Sequence, residues 1–63
     1  MREYLIDAVA GGETRRYYVR ADTPIEAKQI MRLTVAGLKH WIAMWFRGAD
    51  GCWKNLFGGE AYR

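Results

Sequence analysis

Apolar and polar residues alternate along the first twenty-one positions in a way that predicts two β-strands. In residues 3–10, every second side chain from Tyr4 to Ala8 falls on one face of an extended strand, which we expect to be the core face. Residues 14–21 are rich in strand-forming types and alternate in the same way. Two glycines between these segments can adopt positive φ, so the pattern predicts a β-hairpin.

The second strand of this hairpin separates two kinds of side chain. Tyr17 and Val19 share an apolar face, whereas Arg16, Tyr18 and Arg20 share the opposite one. The arginine-tyrosine face is therefore the first candidate binding surface.

A helix start is indicated by Thr23, Pro24 and Glu26. Thr23 can cap the backbone, Pro24 suits the first helical position, and Glu26 completes a capping box. Gly37 offers a left-handed position after the last turn, so the helix is predicted to end near Ala36. A buried stripe at three-four spacing comprises Ala27, Ile30, Met31, Thr34 and Leu38. A mostly basic stripe comprises Lys28, Arg32, Val35 and Lys39.

The chain after Gly37 is harder to interpret. Residues 39–47 fit a helical stripe, but their aromatic and β-branched content favours a third strand, which we predict. A second helix across this segment is the alternative. Residues 48–51 predict a turn, and residues 52–57 suit either a short edge strand or a helical turn. The pattern predicts one α+β domain over residues 1–63, in the order β-β-α-β, with a helix on one face of a small antiparallel sheet.

Composition narrows the class of protein. Nine of the 63 residues are aromatic, which indicates a folded core. Cys52 is the only cysteine, so no internal disulfide can form, and a lone thiol suits a reducing cytoplasm. The first residues do not resemble a signal peptide, and the longest apolar run has six residues, so we expect neither export nor a membrane span.

Catalytic and metal-binding side chains are scarce. The chain contains no serine, one histidine and one cysteine, which excludes a Ser-His-Asp triad. A Cys52-His40 dyad can be drawn, but solitary cysteines usually behave as small hydrophobes. The seven carboxylates are scattered singly along the chain. We therefore expect no enzyme activity, no cofactor and no metal.

The remaining signal is arginine combined with aromatic residues, the types enriched at the energetic centres of interfaces. Ten Lys and Arg against seven Asp and Glu give a net charge of +3. The predicted partner-binding residues are Arg15, Arg16, Tyr18, Arg20, Lys28, Arg32 and Lys39. One hypothesis is docking on a protein by the uncovered sheet face or by strand addition; the other is phosphate binding by a nucleic-acid module. The first ranks higher, because the cations are not clustered in sequence.

The three tryptophans have two interpretations. In so small a domain each of Trp41, Trp45 and Trp53 is more often core than interface. One helix covers only one face of a sheet, however, and the strands carry more aromatics than one covered face needs. We therefore expect some aromatic surface to be exposed or buried in a homodimer.

The chain is small, has a predicted hairpin followed by the Asp-Thr-Pro-Ile-Glu-Ala helix start at residues 22–27, and lacks a set of catalytic residues. In these respects it resembles small phage and mobile-element proteins, among them the anti-CRISPR inhibitors. The resemblance implies a cytoplasmic inhibitor that occupies a surface of a CRISPR effector complex and blocks DNA entry or nuclease recruitment. Many such inhibitors are acidic mimics of nucleic acid. This chain is mildly basic, which argues for contact with protein instead.

Overall fold

A four-stranded antiparallel sheet carries one helix in the computed structural model, which describes residues 1–58. The elements are β1 (Arg2–Ala10), β2 (Glu13–Ala21), α1 (Pro24–Thr34), β3 (Leu38–Arg47) and β4 (Trp53–Phe57). The strand order is β2-β1-β3-β4. The predicted α+β fold is therefore confirmed, including the third strand. The second helix considered for residues 39–47 is wrong, and the last segment is an edge strand.

The hairpin of β1 and β2 is regular over its whole length. Nine residue pairs run from Arg2 opposite Ala21 to Ala10 opposite Glu13 without a register shift. The connection has two residues, Gly11 and Gly12, with φ of 61° and 80°. Positive φ at both positions is what the favoured two-residue hairpin turn requires, so these glycines set the register of the hairpin.

Helix α1 begins as its sequence predicts. Thr23 Oγ1 accepts a hydrogen bond from the Glu26 backbone N–H at 3.1 Å, and Pro24 lies in the first turn. The Glu26 carboxylate accepts in return from the Asp22 N–H at 3.3 Å, one residue earlier than in the usual capping box. The helix ends at Thr34, before the predicted Ala36, because the backbone is already extended at the next residue. Among the described residues, no helix is long and apolar enough to span a bilayer.

The core lies between α1 and one face of the sheet. Its largest fully buried side chains are Tyr4, Ile6, Met31 and Met44. Two of the helix residues are buried, Ala27 and Met31, one turn apart. Tyr4 and Ile6 come from β1, one of the two central strands, which pairs with both β2 and β3. We call this face of the sheet the helix side.

Two bulges in β3 change which side chains reach which face. Asp7 pairs with Ala43, but the next residue of β1, Ala8, pairs with Trp41, so Ile42 is an extra residue. A bulge of this kind shifts the alternation of side chains by one. Trp41 therefore lies on the helix side and Trp45 on the opposite face, although residues four apart share a face in a regular strand.

Candidate interaction surfaces

The structure divides the predicted partner-binding residues between two faces of the sheet. Arg16, Tyr18 and Arg20 lie on the face opposite α1, as the hairpin pattern predicts. Lys28 and Arg32 lie on α1 and contact aromatic rings of the helix side. The other two are Arg15 and Lys39. These seven residues cannot all meet one flat partner, so two surfaces have to be considered separately.

Arg15 belongs to neither group. It lies opposite Ala8 on the helix side of β2, and its Nη2 donates to Glu13 Oε2 at 2.7 Å. Both side chains of this ion pair are more than half exposed. Exposed pairs of this kind contribute little to stability.

The face opposite α1, which we call the distal face, is not covered by any helix within residues 1–58. Among the side chains that the cross-strand register places on it are Glu3, Leu5, Asp7, Arg16, Tyr18, Arg20, Trp45, Arg47 and Trp53. Its carboxylates come from β1, in the centre of the sheet, and its arginines from the strands on both sides. Acidic and basic groups therefore alternate across the face.

Two arginines of the distal face are held by carboxylates. Arg16 donates from Nε to Asp7 Oδ1 at 2.8 Å and from Nη2 to Asp7 Oδ2 at 3.2 Å, which is a bidentate pair. Arg47 Nη1 lies 3.4 Å from Glu3 Oε2. A bidentate pair fixes the plane of the guanidinium as well as its position.

The same two guanidinium groups lie over tryptophan rings. Arg16 Cζ is 5.1 Å from the ring centroid of Trp45, and Arg47 Cζ is 5.1 Å from that of Trp53. Both distances are within the range of cation-π attraction. Trp45 is only 5% exposed although it lies on the distal face, and Trp53 is half-buried. Each arginine is thus positioned by a carboxylate and an aromatic ring together.

Tyr18 and Glu3 are coupled across the hairpin. The Tyr18 hydroxyl donates a hydrogen bond to Glu3 Oε1. This hydrogen bond, with a smaller contribution from the Arg47 charge, lowers the pKa of Glu3 below its ordinary value of 4.5. The same hydrogen bond raises the pKa of Tyr18 above 10.0, because ionisation would remove the donated proton.

Replacing Tyr18 by Phe is expected to raise the pKa of Glu3 toward its ordinary value, because the largest cause of the depression is removed. Since the folded pKa of Glu3 is depressed, its contribution to stability is present above pH 4.5 and is lost as the pH falls through the folded pKa. The wild-type protein should therefore lose stability more steeply below pH 4.5 than the variant. NMR titration of the Glu3 carboxyl carbon measures the shift.

Tyr17→Phe is the matched control for this titration, since Tyr17 packs against the core on the helix side. Loss of the Tyr17 hydroxyl should leave the titration of Glu3 unchanged. An unchanged pKa of Glu3 in Tyr18→Phe would contradict the coupling across the hairpin.

The second surface is a cluster of cations around Trp41. Lys28 Nζ lies 5.5 Å from the Trp41 ring centroid and 4.8 Å from that of Phe57. Arg32 Cζ lies 5.8 Å from the Trp41 centroid. Beside them is a hollow of about 370 Å³ between the end of α1 and the start of β3. Its lining residues are Arg32, Val35, Gly37, Leu38, Lys39 and Trp41. We call this region the basic hollow.

The cations of the two surfaces differ in their partners. On the distal face, Arg16 and Arg47 are paired with carboxylates. At the basic hollow, none of Lys28, Arg32 and Lys39 forms an ion pair with a carboxylate of residues 1–58. Among residues 1–58, the distal face is therefore close to charge balance, whereas the cations at the hollow have no carboxylate partner.

The two reactive side chains of the sequence lie far apart. His40 is near the start of β3, and the exposed Cys52 follows the turn beyond its other end. Seven residues of strand from His40 to Arg47 span roughly 20 Å, so the two side chains do not form a dyad. Within the described part of the chain, no three His, Cys, Asp or Glu residues cluster as metal ligands would.

Sequence reasoning missed the distal-face roles of Glu3, Asp7 and Arg47. Asp7 could have been found, because a two-residue Gly-Gly turn places it directly opposite Arg16. The pairing of Glu3 with Arg47 joins residues 44 positions apart, and no local pattern signals such a contact.

Comparison of the chain with protein-family models, with curated proteins and with solved structures gives no match.

Proposed function

We propose that this chain is a non-enzymatic binding protein that docks on a protein partner through its distal face. The observation that carries the proposal is the pair of arginines, each held by a carboxylate and stacked over a tryptophan. Arginine and tryptophan are the types that dominate interface energetics. Side chains already fixed before binding lose less conformational entropy when a partner docks, which favours tight association.

The charge of the distal face supports a protein partner over a polyanion. Three cations, Arg16, Arg20 and Arg47, face two carboxylates, Glu3 and Asp7. A phosphate backbone approaching this face would meet both carboxylates at its centre. A protein surface of mixed charge can instead pair with both signs, and such complementarity contributes specificity.

The partner class follows from the resemblance to anti-CRISPR inhibitors. We propose that its target is a CRISPR effector complex, which is a nucleoprotein assembly in the cytoplasm of the host cell. Docking of the distal face on its protein component would block DNA entry or nuclease recruitment without chemistry. The exposed Tyr18, at 54%, and its neighbour Arg20 are available to contact the partner.

Inhibition of DNA cleavage by purified effector complexes, taken from several CRISPR types, tests the proposal. The protein is expected to inhibit at least one of them at near-stoichiometric concentration and to co-elute with it. The double variant Tyr18→Ala/Arg20→Glu should bind that complex at least about thirtyfold more weakly, because a hot-spot residue contributes about 2 kcal/mol or more.

The matched control is Leu33→Ala/Lys54→Glu, which also removes one exposed apolar side chain and reverses one charge. Leu33 is 87% exposed on α1, and Lys54 lies on the helix side of β4. The control should bind like the wild-type protein. Equal weakening in both double variants would remove the distal face from the interface, and failure to inhibit any effector would overturn the partner class.

A further inference from the structure

The basic hollow has the features of an anion site that is separate from the distal face. It is concave and lies on the other side of the sheet, where the end of α1 meets the start of β3. Its charged lining residues, Arg32 and Lys39, are both cations, and Lys28 adds a third beside Trp41. None of the three is neutralised by a carboxylate of the described residues. These cations together would attract an anionic ligand.

Trp41 prepares two of these cations for binding. Its ring lies within cation-π distance of both Lys28 and Arg32, and Phe57 adds a second contact to Lys28. Cation-π contact restrains long side chains that would otherwise lose rotamer entropy on binding. The N–H groups of a guanidinium lie in one plane, and a phosphate can accept two of them.

We propose that the basic hollow binds the phosphate backbone of a nucleic acid. The charges that line it have one sign, which suits a polymer with continuous negative charge, whereas a mixed protein surface suits the distal face. Trp41 already has two cations against its ring, so it serves as a platform for them rather than for a base. The contacts are therefore to phosphate groups, and binding is independent of base sequence.

This site does not depend on the docking of the distal face. The two surfaces lie on opposite sides of the sheet and share none of the residues named for them. A failure of one proposal therefore leaves the other standing, and the two are measured with different ligands.

Fluorescence anisotropy with a short labelled oligouridine tests the proposal on the full chain. Three phosphate contacts predict that the logarithm of the binding constant falls with the logarithm of salt concentration with a slope of about −2. Arg32→Gln/Lys39→Gln should reduce the slope to about −0.7 and weaken binding about twentyfold at about 0.1 M salt. Oligothymidine should bind like oligouridine, because the backbone charge is the same.

The control variant Arg2→Gln/Lys54→Gln removes two positive charges at a distance from the hollow and should bind within about threefold of wild type, since counterion release is governed by the phosphate contacts themselves. Circular dichroism establishes that each variant is folded. Should Arg32→Gln/Lys39→Gln be unfolded, Lys39→Gln alone, at an exposed bulge of β3, is expected to weaken binding about fivefold.

Equal affinities for the two double variants would overturn the proposal, because net charge alone would then explain binding. It would also be overturned if polyglutamate displaced the oligonucleotide at equal charge concentration. That result would assign the hollow to an acidic protein segment.

Discussion

Trp45→Ala is expected to lower the free energy of unfolding by about 3–5 kcal/mol, the usual cost of truncating a buried aromatic residue. Trp45 is only 5% exposed, lies on β3, one of the two central strands, and has the Arg16 guanidinium over its ring. A domain of this length has a total stability of about 3–9 kcal/mol. The variant should therefore lose a large share of its free energy of unfolding, which urea titration followed by circular dichroism measures.

Trp53→Ala is the comparison for this experiment. Trp53 also lies under an arginine on the distal face, but it is half-buried and belongs to the short edge strand β4. Its truncation should lower the free energy of unfolding by less than half as much. Equal losses in the two variants would contradict the greater contribution expected from the more deeply buried Trp45.

Met44→Ala, on the helix side of the sheet, is expected to lower the free energy of unfolding by about 2–5 kcal/mol. Met44 is completely buried and packs in the same core cluster as Ile6 and Met31. Truncation leaves a cavity that α1 and the sheet can close only in part. Chemical denaturation gives the free energy, and the slope against denaturant concentration shows whether the unfolding transition stays two-state.

Met44→Leu keeps the volume of the side chain and should cost less than about 1.5 kcal/mol. A loss in Met44→Leu as large as in Met44→Ala would mean that the shape of the side chain matters more than its volume. A loss below about 1 kcal/mol in Met44→Ala would contradict the close packing of the helix side.

Local signals were sufficient for the hairpin and for the helix start. Gly11 and Gly12 form a two-residue turn, and that turn sets which residues of β1 and β2 face each other. Thr23 and Pro24 determine where α1 begins, because the cap and the fixed φ act within one turn. The polar face of the hairpin was therefore predictable to the residue.

Non-local pairing limited the rest of the prediction. The position of Gly37 predicts a helix that ends near Ala36, but the chain is already extended at Val35 as it turns toward β3. The pairing of β3 with β1 depends on contacts between residues that are 28 to 42 positions apart, from Ala10 with Leu38 to Tyr4 with Phe46. Sequence alternation could not show the two bulges, so the faces of Trp41 and Trp45 were not predictable.

The predicted partner-binding residues were likewise placed correctly only where local sequence determines the structure. Arg16, Tyr18 and Arg20 were predicted to share a face because they lie on one strand, and they do. Lys28 and Arg32 were correctly placed on one stripe of α1, but the stripe contacts Trp41 and Phe57 instead of solvent alone. Which aromatic ring lies beneath a helical cation depends on how the helix crosses the sheet, which its own sequence does not specify.

The surplus residue in β3 has a consequence for how this chain can change in evolution. Ile42 separates the orientations of Trp41 and Trp45, so ten consecutive residues supply a tryptophan to each of two chemically different surfaces. Deleting Ile42 would leave Ala43 opposite Asp7 and Trp41 opposite Ala8, so Trp41 would keep its face in a regular strand. If Ile42 instead paired with Ala8, Trp41 would turn to the face of Trp45. The unpaired position thus lets two tryptophans with an even spacing in sequence serve opposite surfaces.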